Sequence, residues 1–152
     1  MISLELCDDL GLLESIAHDP AIWSSVHDDR APDSLTQASR LYLLVKHGDT
    51  VAGFFALDCL ADDTVEVHTC LLPQFRGRIA LDAGKALIDC VFGRLNQRKI
   101  LTKIPVFNRA ALVFAMKCGF IIVGINPESF MRGGVLYDQH MMSLSKGGGL
   151  CQ

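Results

Sequence analysis

The sequence predicts an α/β (α+β) fold built on a mixed central sheet of about six to seven strands, with helices on both faces. Three observations lead there. Residues 41–72 hold three apolar runs separated by turn-forming residues, the pattern of an antiparallel meander. After Pro73 the period changes, and Ala83, Leu87 and Val91 recur every four residues, as on one face of a helix. A second helical pattern then lies between two further strand-like runs, which favours a parallel crossover and therefore a mixed sheet.

Taken in order, residues 2–6 alternate apolar and polar as a short first strand. Asp8 or Asp9 can cap a helix running to about His18, with Leu10, Leu13, Ile16 and Ala17 on one face, and Asp19-Pro20 breaks it. A short helical turn around Ile22 and Trp23 follows, then a loop over residues 28–33. The meander strands are expected at 41–46, 51–59 and 64–72, joined by turns at His47-Gly48-Asp49-Thr50 and Ala61-Asp62-Asp63. The amphipathic helix is expected over 80–95, with Asp82, Lys85 and Asp89 on its polar face. A strand over 99–106 precedes a helix from Arg109 to about Cys118, capped by Asn108 and closed by Gly119. Two strands finish the fold, at 120–125 and 137–144, with a Gly-rich loop at Gly133-Gly134 between them. Residues 1–145 are expected to form one domain, and 146–152 a flexible tail.

The 152 residues suffice for a core without staples. The longest apolar runs, such as residues 121–125, are far too short to cross a bilayer. The first residues lack the basic and apolar regions of a secretion signal, so no membrane partner and a cytoplasmic location are expected. None of the six cysteines (Cys7, Cys59, Cys70, Cys90, Cys118, Cys151) forms a CxxC or completes a zinc pattern with a histidine. They read as reduced structural thiols, and no metal site is expected. Charge is uneven along the chain. Residues 1–66 carry 3 basic and 13 acidic side chains, net −10; residues 67–152 carry 11 and 4, net +7. This is either a matter of solvated faces or a basic half that receives an anionic ligand. The basic residues are not interleaved with aromatics, which argues against nucleic acid.

Leu72-Pro73-Gln74-Phe75-Arg76-Gly77-Arg78, opening the central helix, resembles the pyrophosphate loop of the GNAT acetyltransferase superfamily. Asn108-Arg-Ala-Ala-Leu-Val-Phe-Ala-Met-Lys-Cys-Gly119-Phe120 is similar to the family's Asn…Ala…Gly-Phe helix. The resemblance covers roughly residues 2–144. A narrower one, to GNAT-type proteins of tailed phages and prophages, rests on His18-Asp-Pro-Ala-Ile-Trp23, Asp28-Asp29, Val67-His68, Leu72-Pro73 and Arg76-Gly77. It implies a location in the host cytoplasm or in a virion.

The resemblance implies an acyl-CoA-dependent N-acyltransferase that takes acetyl-CoA, or another acyl-CoA, and a small-molecule or protein amine as acceptor. It implies that Cys70, Leu71 and Leu72 give backbone contacts to CoA, that Arg76, Gly77, Arg78, Ile79 and Ala80 hold the pyrophosphate, and that Asn108 lies near the cofactor. A helix N-terminus suits such an anion through its free N–H groups and dipole. A glycine of the family loop is missing here, and Ile79 is expected to bring a branched side chain towards the phosphates. The family's acid is often a Tyr, and Ala115 stands in its place. Glu66 and His68 lie two apart on one strand, so they point the same way, and an imidazole suits base work at neutral pH. His68 reads equally as a half-buried histidine making one hydrogen bond, and Asn108 as a plain helix cap. His18, Trp23 and Asp29 read either as a wall near an acceptor or as ordinary packing. The alternative to an enzyme is a non-catalytic GNAT-fold virion or head-assembly protein with phage structural partners. A homodimer is compatible with either.

Overall fold

The computed structural model describes residues 1–35 and 40–147. Thirteen elements follow the predicted order: β1 (Ile2–Leu6), α1 (Leu10–Ala17), α2 (Pro20–Val26), β2 (Arg40–His47), β3 (Thr50–Ala61), β4 (Thr64–Leu71), a 3-10 turn (Pro73–Phe75), α3 (Arg78–Asp89), a π turn (Cys90–Arg94), β5 (Lys99–Pro105), α4 (Arg109–Lys117), β6 (Ile121–Arg132) and β7 (Val135–Ser145). The seven strands form one sheet in the order β1-β2-β3-β4-β5-β7-β6. Every pairing is antiparallel except β4 with β5.

Helices cover both faces because each inner strand buries both of its faces. Leu43 and Val45 of β2, Phe55 and Leu57 of β3, and Val65 and Val67 of β4 pack with Ala83, Leu87 and Val91 on one side. Tyr42, Leu44, Phe54, Ala56 and Cys70 pack with Leu13, Ile16 and Ile22 of α1 and α2 on the other. At about 25 cal/mol per Å² of apolar surface, burial on this scale is the main term holding the sheet between its helices.

Several boundaries depart from the sequence-based expectation. The central helix starts two residues early, because Gly77 takes the N-cap position with φ 78°. It ends at Asp89, where the spacing widens so that Leu95 N–H bonds the carbonyl of Cys90 at 2.9 Å. α2 is a full helix, since Pro20 sits in its first turn and the Asp19 side chain accepts from Ala21 N–H at 2.9 Å. β6 runs on to Arg132, because Asn126-Pro127-Glu128-Ser129 makes a bulge and not a turn, with Glu128 at φ 46° and its N–H held by Asp138 at 2.9 Å. Gly133 and Gly134 form a two-residue hairpin with φ 60° and 77°, so Arg132 pairs with Val135. β4 ends at Leu71. The expected tail lies outside the described residues from 148 onward.

Candidate functional site

The site begins where the sheet divides. β4 and β5 pair only through Thr64–Lys99, Val65–Ile100 and Glu66–Leu101. The Thr102 hydroxyl donates to the carbonyl of Val67 at 3.1 Å, and beyond that tie no hydrogen bond joins the two strands. On its other side β4 is held close to β3. A Cβ on Gly53 (φ 153°) would fall 2.1 Å from the Cys70 carbonyl oxygen, so only glycine lets the two backbones come this near. The split opens into a cavity of about 1110 Å³ that reaches α2 on one face and α3 and α4 on the other.

At the α3 end, Gly77 supplies no side-chain cap, and the first turn bond is Leu81 N–H to Gly77 carbonyl at 3.1 Å. The N–H groups of Arg78, Ile79 and Ala80 have no partner among the described residues. Arg76 leans across to the Ala21 carbonyl at 3.4 Å, and Arg78 lies 3.8 Å from Asp82. Asn108 caps α4, its side-chain oxygen accepting from Ala111 N–H at 3.1 Å.

Cys70, Leu71, Arg76, Gly77, Arg78 and Ala80 all line the cavity, as do Asn108, Glu66 and His68. Two of the residues expected to hold the cofactor do not. Leu72 packs with the α1–α2 cluster, and Ile79 is half-buried outside the lining. Ala115 lines the cavity, and neither Tyr42 nor Tyr137 does. Burial pushes the Cys70 thiol up to about 12, so it is a packing residue and not a nucleophile at neutral pH.

Sequence reasoning does not find the group behind His68. Arg40 of β2 grips Asp58 of β3 with Nε on Oδ1 at 2.5 Å and Nη2 on Oδ2 at 2.7 Å. His68 Nε2 meets the same Oδ2 at 2.9 Å. Burial raises the Asp58 pKa, but the hydrogen bonds from His68 and Arg40 outweigh it and hold the carboxyl well below its usual range. The bond from Asp58 likewise lifts Arg40 above its ordinary value. An ionised carboxylate only accepts, so His68 Nε2 is the donor in this bond and Nδ1 is not engaged by it. Glu66 pairs with Asp58 across the strands and lies 4.0 Å from Lys103 Nζ. The ligating atoms of Asp58, Glu66 and His68 fall within 4.8 Å of one another, but both Asp58 oxygens already hold Arg40.

The far rim is stapled across the split. Asp28 and Asp29 accept from Met131 and Gly133 N–H at 3.2 and 2.8 Å, and Arg30 donates to the Ser129 carbonyl at 3.2 Å. Trp23 stacks on His27 at 3.8 Å, and His18 meets its edge at 4.3 Å. Trp23, His27 and Asp28 line the cavity; His18 and Asp29 stand behind them.

A family model described as a protein of unknown function (DUF2824) matches residues 6–143. The chain belongs to that family. This DUF2824 chain is similar to protein p31 of Acyrthosiphon pisum secondary endosymbiont phage 1, at 30% identity over 67 residues. That match spans 44% of the chain and 43% of the phage protein, less than half the length of either. Among solved structures, it resembles the spermidine N-acetyltransferase of Vibrio cholerae in complex with CoA and spermine, at TM-score 0.82, 19% identity and 98% of both chains. A chimeric form of the same enzyme gives TM-score 0.80 at 17% identity over 99% of both chains. The DUF2824 chain therefore has the GNAT fold that its motifs implied. No helix among its described residues is long and apolar enough to cross a membrane.

Proposed function

We propose that this protein binds acetyl-CoA, or another acyl-CoA, in the split between β4 and β5 and passes the acyl group to an amine. The observation that carries this reading is the open first turn of α3 standing at one end of a cavity that runs through the sheet to His68 and Glu66. The N–H groups of Arg78, Ile79 and Ala80, flanked by Arg76 and Arg78, suit a pyrophosphate. Leu71 and Cys70 present β4 backbone along the path between. The Vibrio cholerae structure, which holds CoA and spermine, supports the same use of the fold.

Bound acyl-CoA supplies the thioester carbonyl that the amine attacks, the C–N bond forming as the C–S bond breaks. His68 Nδ1 accepts the proton the amine gives up, and Asp58 stabilises the resulting imidazolium through Nε2–H. Glu66 lies on the same face and can pass a proton through water. Ala115 offers no acid, so the proton taken by the leaving thiolate comes back from His68 or from solvent. This reading places the protein in the cytoplasm, in a phage or prophage setting suggested by its phage relative. A purely structural virion or head-assembly role has less support, because such a module has no need of a cavity through its sheet.

Calorimetric titration with CoA and acetyl-CoA tests the proposal. Binding of both, weakened by added salt as a phosphate contact requires, is the expected result. No binding of either at millimolar ligand would sink it.

A further inference from the structure

The charge of the cavity wall says which amine belongs there. Two carboxylates line the cavity, Asp28 and Glu66; of its five cations, Arg76 and Arg78 stand at the α3 end, Arg40 is locked to Asp58 and Lys103 faces Glu66. Neither carboxylate is unpaired. Asp28 is chelated by Arg30, with Nε on Oδ1 at 3.0 Å and Nη2 on Oδ2 at 2.7 Å, and it also accepts from Met131 N–H. Glu66, with only 12% of its side chain exposed, faces Lys103. Asp58, just behind the wall, is saturated by Arg40 and His68. Residues 36–39 and 148–152, outside the described part, carry no charged side chain that could alter this balance. No carboxylate of the lining is therefore free, among the described residues, to receive the further ammonium groups of a polyamine.

The remaining acceptor wall is apolar and aromatic. Trp23 and Val26 of α2, Pro32 of the following loop, Phe54 of β3 and Phe130 of β6 all line it. Phe130 is braced from behind by Phe107 at 5.7 Å, and Trp23 by its two histidines. Both rings thus pack against aromatic neighbours at the cavity wall, which suits a flat apolar body.

From the paired carboxylates and the rings of the wall we infer that the acceptor is a monoamine on an apolar, aromatic body, and that polyamines bind more weakly. This rests on the acyl-transfer reading for its chemistry: the one nitrogen loses its proton to His68 and takes the acyl group, and CoA leaves as the thiol. The pocket's choice of amine can be tested without CoA.

Trp23 is the only tryptophan of the chain, so its fluorescence reports on the wall directly. 2-Phenylethylamine and spermidine should be titrated into the full chain by fluorescence and by calorimetry, with and without saturating CoA. Phenylethylamine should perturb Trp23 and bind at least about tenfold tighter than spermidine, a difference of about 1.4 kcal/mol. Val26→Asp, which adds a carboxylate to an exposed position of the wall, should narrow or reverse that ratio. Tighter binding of spermidine to the wild type, or binding of neither amine, overturns the inference. Loss of CoA binding with the amine preference intact overturns the acyl-transfer reading alone.

Discussion

The two ends of the cavity are built on opposite plans. At the α3 end, donors are open or loosely held: three backbone N–H groups have no acceptor among the described residues, and two arginines reach only a carbonyl at 3.4 Å and an aspartate at 3.8 Å. At the His68 end every formal charge already has a partner, and Arg40, Asp58 and His68 are joined by bonds of 2.5 to 2.9 Å. An end with unpaired donors gains by receiving an anion. An end with satisfied charges gains nothing from a further ion, but it holds one imidazole in one orientation. Recognition and proton transfer thus make different demands on the same sheet.

The change expected to have the largest effect breaks both ends at once. Gly53→Ala drives a methyl group into the Cys70 carbonyl and the Leu71 backbone, at a backbone angle that side chains rarely adopt. It should cost at least about 3 kcal/mol, measured by urea unfolding. A variant as stable as wild type would show that β4 is not held as described.

The next separates the ends. His68→Asn should lower acyl transfer about 100-fold, near 2.7 kcal/mol in barrier, while CoA affinity stays at the wild-type value. Parallel loss of both would mean that the imidazole serves the fold and not the chemistry.

Asp58→Ala leaves Arg40 and His68 without their acceptor and should cost about 1–3 kcal/mol, between the worth of exposed and buried pairs. The pH dependence has a definite sign. Because the folded Asp58 pKa is depressed, its contribution is present above the unfolded carboxyl value near 3.9 and is lost as pH falls below it. Wild type should therefore lose stability in acid more steeply than Asp58→Asn, a difference that thermal melts at pH 3 and pH 6 would reveal.

Arg76→Ala combined with Arg78→Ala should weaken CoA about tenfold, or about 1.4 kcal/mol, and flatten its salt dependence. Both residues are exposed, so the melting temperature should hardly move. Unchanged affinity would leave the backbone N–H groups as the whole anion site.

The contrast between the ends also explains which parts of the site are legible in the sequence. The α3 end is local. Gly77, Arg78 and Asn108 act through their nearest neighbours along the chain, so spacing alone places them. Glu66 and His68 share a face by the parity of one strand, which is local too. Arg40 and Asp58 are different. From the hairpin at His47–Thr50, an unbroken register would set Arg40 opposite Leu57. The bulge at Val45/Lys46 shifts it by one, so that Arg40 meets Asp58. A second irregularity, at Cys59/Ala61, then puts Asp58 opposite Glu66 and diagonal to His68. A one-residue slip moves a whole strand to the other face, and nothing in the composition of residues 40–66 announces where it occurs. The same holds for β6, which composition alone ends too soon, since Asn126-Pro127-Glu128 has the residues of a turn and the geometry of a bulge.

The early parting of β4 from β5 has a consequence for where this sheet is open to pairing. A sheet ordinarily has two edges, and each is a template for unwanted pairing with other strands. This sheet has four, because the parted ends of β4 and β5 are edges as well. The inner pair borders the cavity, whose lining includes residues of α3, α4 and the stapled 28–33 loop. At the outer edge on β6, Ile121, Ile122, Val123 and Ile125 are 61, 45, 56 and 48% exposed among the described residues. Self-association during folding or storage is therefore expected to start at β6, while the opening at the centre of the sheet stays available to small ligands.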